Sequence, residues 1–427
     1  MTRVPGPFQT PRTATQARDR LRRATIPPEV LEVGRTLHDA GHESVLVGGA
    51  VRDCLRGAPH DDWDLATSAR PEEVVGLFRR TIPTGIAHGT VTVMTGRGER
   101  RLAVEVTTFR GDGEYVDGRR PRSVRFLRDL GQDLARRDFT INAFAWDPFT
   151  ERFTDGFGGL ADLRDGLVRA VGDPTERFRE DGLRAMRAVR FCAVMEFSLD
   201  PATCSAITEA LGVLDKVSRE RIRTELMKLL GARRPGYGLR PLAGTGLWSR
   251  VLMRLEEEQR EAAIQHIDAL RSDAVLRLAR LLWPRRRDAT ELLSVVVALK
   301  LSRADQRRVT ELTRPYIAAL AEVGEPAELR RIVARLGAGQ LPDALDVAEV
   351  GAAQRMVIAE ACDGSALNAK DLAIGARDLI DRAGAEAGPR LGQTLRTLLA
   401  EVIEDPRRNT ARYLLKRGQE LIARSTD

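Results

Sequence analysis

Gly48-Gly49 followed closely by Asp62-Trp63-Asp64 is the pattern in this 427-residue chain with the clearest chemical potential. A glycine pair makes a turn with no side chain in the way. A helix opening there, over Ala50–Arg56, offers its free N–H groups to an anion such as a triphosphate. The apolar run Ser44–Val47 reads as the short buried strand that delivers the turn. On a following strand with a period of two, Asp62 and Asp64 point to one face, while Trp63 and Leu65 point to the other and pack. Neighbouring carboxylates repel unless a cation neutralises them. A pair of Mg2+ ions about 3.5 to 4 Å apart is the usual arrangement for in-line phosphoryl chemistry. Each piece has a plainer reading, since a lone Gly-Gly is a turn and a lone Asp-x-Asp a solvated strand edge. Their order and close spacing are what point to nucleotide binding and nucleotidyl transfer, with Mg2+ as the cofactor held by Asp62 and Asp64.

Three further clusters fit around that seat. Glu105, in Val104–Arg110, interrupts a face that is otherwise apolar or hydroxyl-bearing, and is a candidate third catalytic carboxylate; a strand-edge glutamate paired with an arginine reads equally well. In Arg136-Arg137-Asp138-Phe139-Thr140-Ile141-Asn142-Ala143, basic, acidic and amide groups enter an apolar segment. Arg137 could take a triphosphate oxygen in bidentate fashion, and Asp138 and Asn142 could position a ribose or brace Arg137; the alternative is an internally paired capping network. Glu180–Phe191 reads as an amphipathic helix with Asp181, Arg184, Arg187 and Arg190 in a row at spacing three, which winds slowly round the axis. An aspartate beside an arginine presents an acceptor and a donor fork to a base edge, selecting a base without a template. On an isolated helix the same residues would be a wet i,i+3 ion pair.

These groups need a mixed α/β scaffold, and the chain supplies one before about residue 175. Thr90–Thr95 and Leu102–Phe109 read as strands joined by a Gly96–Glu99 hairpin turn, extending the sheet of Asp64. Asp112–Pro121 is too rich in glycine and charge for regular structure and reads as a loop over the site. Beyond residue 175 almost everything is helical, with junctions near 233–236, 284–287 and 384–389. The first 25 residues carry six arginines and one acid without apolar periodicity, so residues 1–26 are expected to be a flexible basic tail.

Composition narrows the partners. The net charge of +7 favours a polyanion, although 63 arginines against 5 lysines could also reflect a GC-rich genome. With 20 aromatic residues there is little material for base-stacking platforms, so a structured RNA bound through phosphates and shape suits the chain better than a stacked single strand. The longest apolar run, Leu292–Leu299, is far short of the roughly 18 residues a membrane span needs. Four scattered cysteines argue against a disulfide framework or zinc site and fit a reducing cytoplasm.

Taken together, Gly48–Asp53, Asp62–Thr67, Glu105–Arg110, Arg136–Ala143 and Glu180–Phe191 closely resemble the class II tRNA nucleotidyltransferases of the polymerase-β-like superfamily, in register over roughly residues 45–230. A weaker echo returns at Gly388–Gly392 and Pro406–Thr410. The resemblance implies an α+β head with a five-stranded mixed sheet, followed by an all-α neck, body and tail gripping the acceptor arm of tRNA. The expected boundaries are 27–172, 173–235, 236–310 and 311–427. It implies Asp62 and Asp64 as Mg2+ ligands, and Gly48, Gly49, Arg52, Arg137, Asp138 and Asn142 around CTP or ATP. Asp181 and Arg184 would read the base, with Arg187 and Arg190 supporting the nucleotide. The tRNA 3'-hydroxyl would attack the α-phosphate, adding C, C and A and releasing pyrophosphate. Ser218–Arg221 and the helix after it are similar to the element that braces the base-reading helix in that family.

Two other readings stay open on sequence alone. Bacterial poly(A) polymerases share the head and differ mainly after Phe109, where Asp112–Pro121 looks like the CCA-adding form; its Glu114, Asp117, Arg119 and Arg120 also argue against a CC-only enzyme. A catalytically silent RNA-binding protein is the third, disfavoured by the intact carboxylates. With His266 the only histidine after His88, no His-Asp phosphohydrolase site is expected in the C-terminal half.

Overall fold

The computed structural model describes residues 10–59, 62–86, 89–96, 101–112 and 124–424. Of the expected Asp112–Pro121 loop and Gly96–Glu99 turn, all but the first residue of each lie outside the described residues. The chain falls into two compact units, Met1–Arg254 and Leu255–Asp427.

The first unit is built on a mixed sheet whose strands begin with β1 (Ser44–Val47), β2 (Asp64–Thr67), β3 (Thr81–Gly85), β4 (Thr90–Thr95) and β5 (Leu102–Thr108). A small antiparallel pair follows, β6 (Arg110–Asp112) with β7 (Val124–Phe126), and then β8 (Phe144–Asp147) and β9 (Arg152–Asp155) complete the main sheet. Its order is β3-β4-β5-β2-β1-β8-β9, with β2 and β5 parallel and the other neighbours antiparallel. The sheet therefore has seven strands, two more than expected. The outermost, β3 and β9, are short and polar, and β3 contains Pro83, a residue confined to edge positions because it cannot donate to a ladder. The centre is apolar on both faces: Val45, Val47, Ala66, Phe109 and Ala145 form a buried cluster on one, and Leu46, Leu65, Val106 and Trp146, paired in register, are buried on the other.

The segment expected to be a flexible tail instead contains a helix, Ala14–Arg22. Thr13 caps it by accepting from Gln16 N–H, and Ala17 and Leu21, one turn apart, are fully buried. Two buried positions one turn apart anchor a short helix, and the surrounding arginines hide them from a composition-based reading.

After the sheet, helices Pro174–Glu180, Leu183–Met195, Arg219–Gly231 and Gly236–Gly244 pack together, and Leu183–Met195 lies against the last two. The expected continuous helix over Glu180–Phe191 is broken at Asp181-Gly182. A side chain on Gly182 would sit within 2.8 Å of the Val213 carbonyl, so the break and the glycine let two backbones meet. The first unit also takes in residues 236–254 of the region expected to form the body.

The second unit is helical, from Glu257–Gln265 to Ala411–Ala423. Its buried arginines serve the fold. Arg330 donates to the carbonyls of Ile403 (2.7 Å), Ala361 (3.3 Å) and Glu404 (3.0 Å), satisfying the open ends of two helices at once. Leu379, Leu398, Val402 and Leu414 form the core around the last three helices. Among the described residues no helix is long and apolar enough to cross a membrane.

Candidate active site

Strand β1 ends at the glycine turn, and Gly48 has a backbone φ of +71° that favours glycine. A β-carbon there would lie 3.1 Å from Arg137 Nη1 and 3.9 Å from Asp64 Oδ2. The missing side chain thus brings a helix opening, a guanidinium and a carboxylate to one point. The helix is Gly49–Arg56, which buries Ala50, Val51, Cys54 and Leu55 and leaves its N-terminus at the turn.

Asp64 opens β2 and pairs in register with Val47 on one side and Glu105 on the other. Asp62 precedes the strand and is exposed, whereas the sequence placed it on the strand; Trp63 and Leu65 are buried as expected. Burial, then the negative charge of Glu105 and of Asp62, push the Asp64 carboxyl up to about 6, with Arg137 opposing. Glu105 is exposed, and among the described residues no arginine pairs with it. The acidic edge is thus short of positive charge.

Arg137 is loosely held. Nη2 reaches Asp133 at 3.3 Å, Nη1 reaches the Asn142 carbonyl at 3.4 Å, and buried Nε has no partner among the described residues. Its neighbour Arg136 is fixed by two donations to Asp133 Oδ1 at 3.0 and 2.7 Å. A guanidinium with long contacts beside a helix N-terminus retains donors for an anion.

Asn142 holds Arg137 only through its carbonyl; the side chains of Asp138 and Asn142 instead link two helices. Arg52 grips Asp53 through Nε (3.0 Å) and Nη2 (2.7 Å) and donates from Nη1 to Asn142 Oδ1 at 2.5 Å. Asn142 donates to Asp138 (3.0 Å), and Asp138 accepts from Arg187 at 2.7 and 2.6 Å. Burial alone would raise the Asp138 carboxyl, but Arg187 and Asn142 outweigh it and hold it down at about 2, while Asp138 in turn raises Arg187. The internally paired network weighed from the sequence is therefore present, and it runs from the Gly49–Arg56 helix to Leu183–Met195.

Asp181 and Arg184 are held separately. Asp181 caps Leu183 N–H (2.9 Å) and accepts from Arg221 (3.0 Å), in the segment that resembled a brace. Arg184 donates to Glu180 (2.6 Å), to the Arg177 carbonyl (3.2 Å) and to the Arg136 carbonyl (2.8 Å). Arg190 pairs with buried Glu225 at 2.6 Å. Sequence reasoning assigned no role to Glu225, Asp133 or Phe191. The Phe191 ring carries the guanidiniums of Arg190, Arg52 and Arg187 at 3.9, 5.4 and 5.5 Å from its centre. In the sequence Phe191 merely follows Arg190, and Glu225 lies 35 positions from Arg190, beyond any local pattern.

Residues 44–169 match the family described as the Poly A polymerase head domain, and residues 196–265 the family described as the probable RNA and SrmB-binding site of polymerase A. Over 422 residues the chain is 36% identical to the CCA-adding enzyme of Limosilactobacillus reuteri, covering 92% of this chain and 98% of that protein. It is 50% identical over 202 residues to the CCA-adding enzyme of Anoxybacillus flavithermus, covering 47% of this chain and 50% of that one. The crystal structure of the Bacillus stearothermophilus CCA-adding enzyme in complex with CTP matches with a TM-score of 0.72 and 32% identity, over 94% of this chain and 98% of that one. Head domain and carboxylate edge together define a nucleotidyltransferase of the polymerase type. Within that class, the chain belongs to the family of CCA-adding enzymes.

Proposed function

We propose that this protein adds C, C and A in turn to the 3' end of tRNA, without a template, consuming CTP and ATP and releasing pyrophosphate. The observation that carries this reading is the meeting of Asp64, Arg137 and the opening of the Gly49–Arg56 helix at Gly48. The triphosphate lies against Gly48, Gly49 and Arg137, with Arg52 tied behind it. Asp62 and Asp64 are the residues that would hold Mg2+. They fit it, because Asp64 is raised by uncompensated carboxylates, and a divalent cation relieves that repulsion. Once bound, such an ion neutralises charge on the reacting phosphate and lowers the pKa of the attacking hydroxyl. Glu105 adds negative potential that favours the cation.

Base choice falls to Asp181 and Arg184. Arg221 fixes one Asp181 oxygen, and Leu183 N–H the other, so the carboxylate is oriented before a base arrives. Arg184 must leave Glu180 or share its donors to meet a base edge. Arg187 and Arg190, fixed by Asp138, Glu225 and the Phe191 ring, hold the floor beneath the nucleotide. In this reading residues 27–172 form the head, 173–235 the neck, 236–310 the body and 311–427 the tail for the tRNA acceptor arm, working in the cytoplasm.

Incubating the protein with labelled CTP and ATP, and either tRNA ending at the discriminator base or an oligo(A) primer, tests the proposal. Ordered addition of C, C and A to tRNA alone is expected. Long A tails on the primer would make it a poly(A) polymerase, and no incorporation would leave an RNA-binding protein.

A further inference from the structure

The Gly49–Arg56 helix is short, and its two ends are treated differently. Its N-terminus is left open at the glycine turn. At its C-terminus, three carbonyls are each satisfied: Asp53 by Ala58 N–H (2.9 Å), Cys54 by Gly57 N–H (3.0 Å) and Leu55 by Nη1 of Arg20 (3.0 Å). The first two are ordinary backbone closures. The third comes from the Ala14–Arg22 helix, which precedes residues 44–169 that match the head family.

Arg20 is placed there by construction. Its helix is capped by Thr13, anchored by buried Ala17 and Leu21, and rests on both the Gly49–Arg56 helix and β9. A second tie, Arg22 to Glu151, holds it to the turn between β8 and β9. Gly57 has a φ of +72°, and a β-carbon there would lie 3.1 Å from Arg20 Nη2, so the glycine makes room for the guanidinium. A cation at a helix C-terminus complements the partial negative charge of the last carbonyls and fixes the axis of a two-turn helix whose other end meets the substrate.

We propose that Arg20 is a positioning residue for the incoming triphosphate, and that the Ala14–Arg22 helix is an accessory brace of the phosphate-binding turn. This rests on the reading that the Gly49–Arg56 helix seats the triphosphate. Arg20 touches no substrate; it acts by holding the helix against which the phosphates align.

The test is steady-state kinetics of full-length Arg20→Ala, Arg20→Lys, Arg22→Ala and Gly48→Ala, with tRNA saturating and CTP or ATP varied. Arg20→Ala should raise KM for both nucleotides about two- to tenfold, with kcat changed less than about twofold. Arg20→Lys, which keeps the charge and can still donate, should recover most of the loss, and Arg22→Ala, which breaks an exposed and therefore weak tie, should change KM far less than Arg20→Ala does. Gly48→Ala should raise KM more than Arg20→Ala. A fall in kcat at unchanged KM for Arg20→Ala would mean mere loss of folded enzyme and overturn the proposal, as would equal effects of Arg20→Ala and Arg22→Ala. If Gly48→Ala leaves KM unchanged, the phosphate-seat reading itself fails; if only Arg20→Ala does so, the brace alone is refuted.

Discussion

At the Gly48 turn and along the Leu183–Met195 helix, acidic side chains live under opposite conditions. Asp62 and Glu105 stand exposed around half-buried Asp64, which feels one loosely held arginine, Arg137. On the helix side each carboxylate has its own arginine: Asp138 with Arg187, Glu225 with Arg190, Glu180 with Arg184 and Asp181 with Arg221. The second pattern is complete and rigid. The first is electrostatically unfinished, as a seat for a cation must be if it is to bind strongly, and its incompleteness is a cost in the folded protein. Under the proposed function, stability and chemistry fall to separate carboxylates of one unit.

That contrast can be broken first at Asp64. Asp64→Asn should lower kcat for CTP incorporation by at least about a thousandfold, or ~4 kcal/mol, leave tRNA affinity in filter binding unchanged, and leave the thermal midpoint equal or higher. Asp138→Ala should instead cost folding stability, and weaken nucleotide binding as well because it frees Arg187. Removing Asp138 leaves Arg187, about a third exposed, and Asn142 without their partner, and urea unfolding should show a loss of about 1–2 kcal/mol once solvent screening is allowed for.

The two carboxylates also predict pH effects of opposite sign. Asp64 is raised to about 6 in the folded protein, so its protonated form favours folding. That contribution is fully present below the unfolded value near 3.8 and is lost as pH rises through about 6. Without added divalent cation, Asp64→Asn should therefore gain on the wild type by ~1–3 kcal/mol between pH 4 and pH 7 in chemical denaturation. Asp138, held at about 2, contributes stability present above 3.8 and lost as pH falls through about 2, so its variant should lose its disadvantage only in strong acid. The smallest effects are expected at Asp181 and Arg184, the pair proposed to read the base. Arg184→Ala should blur the choice between C and A more than it weakens triphosphate binding. Arg221→Ala, which only frees an Asp181 oxygen in a half-exposed pair, should shift that choice by no more than about fivefold, measured by competing labelled CTP against ATP.

Much of the unfinished region was legible in the sequence. Ser44–Val47 and Thr90–Thr95 read as the strands they are, and the helix after the glycine pair begins one residue earlier than expected. Periodicity works there because apolar runs are bounded by glycine and charge. It failed for β3 and β9, which are held as strands by a neighbour's ladder more than by their own residues. It failed at Asp181-Gly182 as well, where the helical pattern continues but the approach of Val213 demands a break. The finished region was half legible: its arginines and aspartates could be named, and Ser218–Arg221 resembled a brace, but which side chain pairs with which could not be read. Glu225 for Arg190 and Arg221 for Asp181 are set by how three helices pack, and the Arg20 brace by a helix hidden in a basic stretch.

In the proposed reaction Asp64 and its acidic neighbours capture a divalent cation beside the triphosphate. Electron paramagnetic resonance of Mn2+ titrated into the protein with a non-hydrolysable CTP analogue reads this directly. The wild type should bind Mn2+ with the analogue well beyond what the analogue binds alone, and Asp64→Asn should reduce that to the analogue's own level. Undiminished Mn2+ binding by Asp64→Asn would contradict the account.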